Sequence, residues 1–125
     1  MDSFWISFCV TAALTTIGWF LTNRAEKDTS FVAEVGRASW KLLHAMAAGY
    51  PLEAGERVQS EGSAFLKSFA DLYPCPRCGG EMKGYLRQNP PDLRGRIAFQ
   101  RWLCEFHNDV NANLKKPIMS CASYS

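Results

Sequence analysis

The chain has no basic stripe, no internal repeat and no low-complexity stretch. Its 125 residues include 14 basic and 12 acidic side chains, for a formal net charge of +2. A balance of this kind, without a clustered basic surface, argues against nucleic-acid binding. The sequence also has no run of alternating β-branched residues, which a half-buried sheet requires. We therefore expect an all-α domain with no nucleic-acid partner.

Positive charge is also missing before the longest apolar run. Residues 4–21 form an 18-residue stretch without a charged side chain, which is near the lower limit for a helix that crosses a bilayer. A cleaved signal peptide would have a shorter apolar region, a preceding Lys or Arg and a following Ala-x-Ala site. We therefore predict one N-terminal transmembrane helix as a membrane anchor at residues 1–22, a linker at 23–31 and a folded domain at 32–125. Basic residues after the run favour a cytoplasmic domain, so the topology stays open.

The rest of the sequence has apolar residues at helical spacing, interrupted by glycine and proline. A domain of roughly 90 residues buries only about 60–65% of its unfolded surface, so it usually needs a covalent cross-link or a cofactor. The predicted fold is a four-helix bundle with a short fifth helical turn near Cys121. The four predicted helices cover about residues 32–50, 53–72, 75–88 and 94–114.

Four of the five cysteines lie in the predicted domain. Cys75 and Cys78 are at the start of the third predicted helix, where the helix dipole and the neighbouring Arg77 favour a thiolate. A thiolate can attack a disulfide, and two cysteines at this spacing can also close a small disulfide ring. The same motif could be half of a zinc site. The motif alone supports redox chemistry and zinc binding about equally.

The zinc hypothesis describes a small zinc-stabilised interaction module tethered to a membrane. Three sulfurs and one imidazole are an accepted tetrahedral ligand set. However, Cys121 is then left over, and Asn108 and Asn111 share a helix face with the proposed ligands, although a closed zinc site does not need amides. Inward-facing amides suit hydrogen bonds to a polar ligand. The four zinc ligands would be Cys75, Cys78, Cys104 and His107.

Four separated motifs in this chain are similar, in order and spacing, to those of one known family. They are Gly36-Arg37-Ala38-Ser39-Trp40-x3-His44, Tyr73-Pro74-Cys75-x2-Cys78, Trp102-x-Cys104-x2-His107-Asn108-x2-Asn111-x2-Leu114-x-Lys116, and Cys121. They resemble the Erv/ALR flavin-linked sulfhydryl oxidases over residues 32–121. The stretch at 34–41 most resembles the membrane-anchored endoplasmic-reticulum branch of that family. The resemblance weighs against the zinc hypothesis.

The resemblance implies a helical bundle that holds FAD non-covalently, forms a homodimer and transfers two electrons from dithiols to molecular oxygen, giving hydrogen peroxide. Cys75 and Cys78 match the catalytic redox pair: Cys75 would exchange with substrate thiols, and Cys78 would lie nearer the flavin. Cys104 and Cys121 match a structural disulfide. The positions that match FAD contacts are Gly36, Arg37, Trp40, His44, Cys104, His107, Asn108, Asn111, Lys115 and Lys116.

Many members of the family carry a further cysteine pair on a flexible tail that relays electrons. No such pair follows Cys121. We therefore expect either direct oxidation of accessible protein or small-molecule dithiols, or dependence on a separate dithiol carrier such as a disulfide isomerase. Disulfides favour an oxidising compartment. With a membrane anchor, the endoplasmic-reticulum lumen is the expected location, and the mitochondrial intermembrane space is the alternative.

Overall fold

The computed structural model describes residues 30–124. The predicted anchor at 1–22 lies outside the described residues, as does nearly all of the predicted linker. No helix within residues 30–124 is long and apolar enough to cross a membrane. The chain divides into two compact units, residues 1–36 and 37–125. Of the first unit, the structure describes only the start of one helix, so the account below concerns the second.

Four helices and one short helical turn make up the described part of the chain, which contains no β-strand. The prediction of an all-α bundle with a fifth turn near Cys121 is therefore confirmed for these residues. The elements are α1 (30–48), α2 (Glu56–Asp71), α3 (Pro76–Gln88), α4 (Arg96–Asn113) and a 3-10 turn (Ala122–Tyr124).

Helix α2 begins three residues later than the sequence predicted, because the segment before it is held elsewhere. The Ala54 N–H donates to the carbonyl oxygen of Arg94 at 2.9 Å, and the Arg96 N–H donates to that of Pro51 at 2.8 Å. These bonds join the loop before α2 to the loop before α4. Residues 51–55 therefore take part in a loop-to-loop contact instead of the first turn of a helix.

The core is centred on α4, which contributes more buried residues than any other described helix. Leu103 of α4 and Leu66 of α2 are completely buried. The indole N–H of Trp102 donates to the carbonyl oxygen of Asn89 at 3.0 Å, so it fixes the end of α3 against α4. The buried hydrophobic cluster contains Leu43, Ala47, Leu66, Ala70, Met82, Leu93, Phe99, Trp102, Leu103 and Phe106.

Helices α2 and α3 approach each other closely where α3 begins. A Cβ atom at Gly79 would collide with the carbonyl oxygen of Ala70. Pro76 is the first residue of α3, a position where its missing N–H costs no intrahelical hydrogen bond and its fixed φ suits the helix. The first turn of α3, which carries Cys78, is therefore held against the end of α2.

Candidate active site

Cys75 and Cys78 are bonded to each other at the N-terminus of α3. Their Cα atoms are 5.3 Å apart, and both residues are half-buried. Cys75 is the N-cap of the helix, and its Sγ accepts the backbone N–H of Cys78 at 3.3 Å. Unpaired amides and the positive end of the helix dipole stabilise an anion at this position. Opening this disulfide therefore places sulfur where a thiolate is favoured.

A second disulfide joins Cys104 of α4 to Cys121, just before the 3-10 turn. The Cα atoms are 5.9 Å apart, and the two residues are separated by 17 positions. Cys104 is only 2% exposed. The chain-entropy model assigns a loop of this size about 3 kcal/mol of stabilisation. This bond fixes the segment 114–121, which we call the strap, to the body of α4.

The two disulfides use the sulfur atoms that a zinc site would need. Within residues 30–124, no group of three or more His, Cys, Asp or Glu side chains is arranged to hold a metal ion. The interpretation as a zinc-stabilised module is therefore not favoured.

Trp40, His44 and His107 form a cluster of rings between α1 and α4. The rings of Trp40 and His107 are stacked, with centroids 3.9 Å apart and planes inclined by 7°. His44 Nε2 lies 3.0 Å from His107 Nδ1, and Phe106 packs against Trp40 with a centroid distance of 5.1 Å. We call the cluster of Trp40, His44 and His107, which is built from two helices, the aromatic wall; the Trp40 and His107 rings are parallel, and the His44 ring is tilted by about 40° to both.

Both imidazoles of this cluster are held in the neutral form at pH 7. Burial, followed by the positive charge that His44 carries when protonated and by the charge of Lys116, lowers the pKa of His107 to about 4. Burial also lowers the pKa of His44 from its ordinary value. In a hydrogen bond between two neutral imidazoles, one ring donates and the other accepts. The aromatic wall is therefore uncharged, which suits stacking with a neutral planar ring.

The two asparagines predicted to contact a ligand differ in their surroundings. Asn111 is 8% exposed, and its side chain makes no hydrogen bond to the described residues. In contrast, Asn108 Nδ2 donates to the carbonyl oxygen of Met119 at 2.8 Å, and its Oδ1 accepts the Met119 N–H, also at 2.8 Å. The amide of Asn111 is thus available for a ligand, whereas that of Asn108 already holds the strap.

The lysines of the strap follow the end of α4. Lys115 has a positive φ of 55°. Its backbone N–H donates to the carbonyl oxygen of Ala112, and the backbone N–H of Lys116 donates to the carbonyl oxygen of Asn111. This is the Schellman arrangement, which closes a helix C-terminus. Both lysines are exposed, and Lys116 is near enough to His107 to act on its pKa. Lys116 therefore places positive charge beside the aromatic wall.

The structure brings Trp40, His44, His107 and Lys116 together, but not every predicted contact. Arg37 is exposed and makes no hydrogen bond or ion pair within the described residues, and Gly36 belongs to the first unit. Sequence reasoning missed the contact of Phe106 with Trp40, because an apolar position on the fourth predicted helix was interpreted only as core. It also missed that the Asn108 amide holds the strap, which no local pattern indicates.

Comparison with known proteins assigns this arrangement of disulfides and aromatic wall to a family. The model of the Erv1 / Alr family matches residues 37–125, and the chain belongs to that family. Among its relatives is the mitochondrial FAD-linked sulfhydryl oxidase ERV1 of Saccharomyces cerevisiae, which is 40% identical over 94 residues, or 75% of this chain and 50% of the relative. The chain thus spans about half the length of that relative.

A shorter relative and a solved structure agree with this assignment. The FAD-linked sulfhydryl oxidase of African swine fever virus (isolate Warthog/Namibia/Wart80/1980) is 34% identical over 89 residues, covering 71% of this chain and 75% of the relative. The crystal structure of the FAD binding domain of Erv1 from Saccharomyces cerevisiae superposes with a TM-score of 0.71 at 40% identity. The superposition covers 73% of this chain and 87% of that structure. The predicted resemblance to the Erv/ALR family is confirmed, whereas its membrane-anchored endoplasmic-reticulum branch is not.

Proposed function

We propose that this chain is an FAD-dependent thiol oxidase, a thiol:oxygen oxidoreductase that introduces disulfides into dithiol substrates. The observation that carries the proposal is the Cys75–Cys78 disulfide at the N-terminus of α3, in a chain whose relatives are named FAD-linked sulfhydryl oxidases. The viral relative strengthens the proposal, because the matched region makes up 75% of that protein. A protein composed mostly of this domain carries the name of the activity.

The chemistry begins as thiol–disulfide exchange. A substrate thiolate attacks Cys75, forming a mixed disulfide and releasing Cys78 as a thiolate. The second substrate thiol then attacks the mixed disulfide, so the substrate leaves as a disulfide and the Cys75–Cys78 pair is left as a dithiol. FAD, when bound, supplies a two-electron acceptor that passes the electrons to molecular oxygen, giving hydrogen peroxide. Cys78 is the residue proposed to deliver those electrons.

The aromatic wall and its neighbouring residues are suited to FAD. A neutral aromatic wall of Trp40, His44 and His107 suits the stacking of a planar ring. Asn111 is a buried residue, and its side-chain amide can bond to a polar edge of the cofactor. Lys116 can meet a phosphate. Arg37, Lys115, Gly36, Cys104 and Asn108 remain predicted contacts that rest on the family resemblance.

The partners proposed for the chain are dithiols, molecular oxygen and a second copy of itself. Leu42 and Met46 lie four residues apart on α1 and are 52% and 40% exposed, so a homodimer would have apolar surface to bury. Substrates could react directly or through a carrier resembling a disulfide isomerase. Sedimentation analysis of the purified chain tests the dimer.

The proposed compartment is an oxidising one, since residues 30–124 contain two disulfides. The mitochondrial intermembrane space is favoured, because the Saccharomyces cerevisiae relative is named mitochondrial. The endoplasmic-reticulum lumen was expected from the membrane anchor, and it stays a proposal tied to residues 1–22. Imaging of the tagged full chain in cells distinguishes the two compartments.

The visible spectrum of the purified full chain under air tests the function. A flavin band should bleach when dithiothreitol is added and return as oxygen is consumed. Cys78→Ser should keep the flavin but abolish oxygen consumption, whereas Cys9→Ser, at the only cysteine outside both disulfides, should leave turnover unchanged. A colourless protein that contains zinc, or full activity in Cys78→Ser, would refute the proposal.

A further inference from the structure

Ser39 and Tyr73 form a hydrogen bond that joins α1 to the segment leading into α3. The Tyr73 hydroxyl donates to Ser39 Oγ at 3.1 Å. Ser39 immediately precedes Trp40 of the aromatic wall, and Tyr73 lies two residues before Cys75. The bond therefore connects the two parts of the site, the aromatic wall on one side and the redox disulfide on the other.

Tyr73 is also fixed by the two helices on either side of it in the chain. Its ring packs against Phe69 of α2, with centroids 5.4 Å apart, and its Cβ lies 3.4 Å from the place where a Cβ at Gly79 of α3 would be. Pro74 follows directly and restricts the backbone of Tyr73 to extended conformations. Because Tyr73 packs against both neighbouring helices and precedes Pro74, its bond to Ser39 ties α1 to the backbone that leads into Cys75.

We propose that Tyr73 is a positioning residue: its hydrogen bond to Ser39 sets the separation between the Cys75–Cys78 pair and FAD held at the aromatic wall. The inference rests on the proposed function. In the step concerned, the dithiol is oxidised to the disulfide and FAD is reduced by the same two electrons. One thiol proton passes to the reduced cofactor and the other to solvent.

The expected effect follows from the sensitivity of such steps to distance. A misplacement of about 1 Å can cost about 100-fold in rate, so a displacement of a fraction of this after loss of the bond should slow the step about three- to ten-fold. Binding of FAD should not change, since the Tyr73 hydroxyl is bonded to Ser39. Exchange with substrate at Cys75 should also continue at its normal rate.

Anaerobic stopped-flow reduction of the FAD-loaded full chain by dithiothreitol tests this. The dependence of flavin bleaching on dithiothreitol concentration gives the exchange rate constant at low concentration and the limiting rate of the internal step at saturation. Tyr73→Phe keeps the ring and removes the hydroxyl. Its limiting rate should fall about three- to ten-fold, while the exchange rate constant and the FAD affinity stay as in the wild type.

Tyr50→Phe is a matched control. The Tyr50 hydroxyl donates to the carbonyl oxygen of Leu93, also at 3.1 Å, and its ring packs against Phe99 in the core. Tyr50→Phe should lower the free energy of unfolding as much as Tyr73→Phe does, but it should leave the limiting rate unchanged. Ser39→Ala should slow the same step as Tyr73→Phe, Ser39→Thr should restore the rate, and the double variant should be no slower than either single variant.

The outcomes separate this inference from the proposed function. If the wild type is reduced and both Tyr73→Phe and Ser39→Ala match its limiting rate, the positioning role is refuted and the oxidase proposal stands. A fall in only one of the two variants, or a loss of FAD affinity in either, also refutes it, since the hydrogen bond is then not the cause. A wild-type chain that holds no flavin refutes both proposals.

Discussion

Loss of the Asn108 amide should release the strap without unfolding the helices. In Asn108→Ala, the two 2.8 Å hydrogen bonds to Met119 disappear, while the Cys104–Cys121 bond still holds the far end of the segment. Each of these bonds contributes about 1 kcal/mol, less where solvent can replace it. We expect strap opening to become more favourable by about 1–2 kcal/mol, or roughly 5- to 30-fold.

Limited proteolysis measures this opening. Trypsin can cut after Lys115, and because the exposed strap is cleaved only when it leaves α4, the initial rate reports the opening equilibrium. Asn113→Ala is the control, since its side chain makes only a 3.5 Å contact to Asp109 on the same helix. Equal cleavage rates at Lys115 in the wild type, Asn108→Ala and Asn113→Ala would refute this account of Asn108.

Three further predictions concern other parts of the site and core. Lys115→Gly should stabilise the chain by about 0.5–1 kcal/mol, as a higher melting temperature, because a side chain is strained at positive φ. The pKa of His107 is lowered to about 4 and that of His44 is also lowered, so the unfolded chain binds more protons than the folded one below pH 6.5. The free energy of unfolding should therefore fall as pH drops from about 6.5 towards 4. Urea melts of His107→Phe should show a weaker fall. Leu103→Ala should cost about 2–5 kcal/mol in urea melts, because this side chain is completely buried, whereas Leu114→Ala, at a 53% exposed position, should cost far less.

Most of the fold could be predicted from the sequence, because it depends on local patterns. Apolar spacing and the positions of proline and glycine indicated all four helices. The late start of α2 could not be predicted, since it depends on hydrogen bonds between residues 51–54 and 94–96 that are far apart in sequence. Contacts of this kind leave no periodic signal.

The candidate site could likewise be predicted only where it depends on local spacing along a helix. Helical spacing places Trp40 and His44 on one face of α1, and the spacing of Cys75 and Cys78 indicates their position at a helix start. Asn108 and Asn111, three residues apart on the same face of α4, had the same expected role. The two amides differ because the strap brings Met119 into hydrogen bonding with Asn108. Helix periodicity does not predict where a segment outside the helix will lie.

The two disulfides differ in how a reductant can reach them. Cys104 is almost fully buried and Cys121 is half-buried, so attack on that bond can come only from one end, whereas both Cys75 and Cys78 are half-buried. A thiol in the surrounding solution therefore encounters the Cys75–Cys78 bond first. Two bonds of the same kind within residues 30–124 thus differ in how readily a reductant reaches them, and this difference comes from burial.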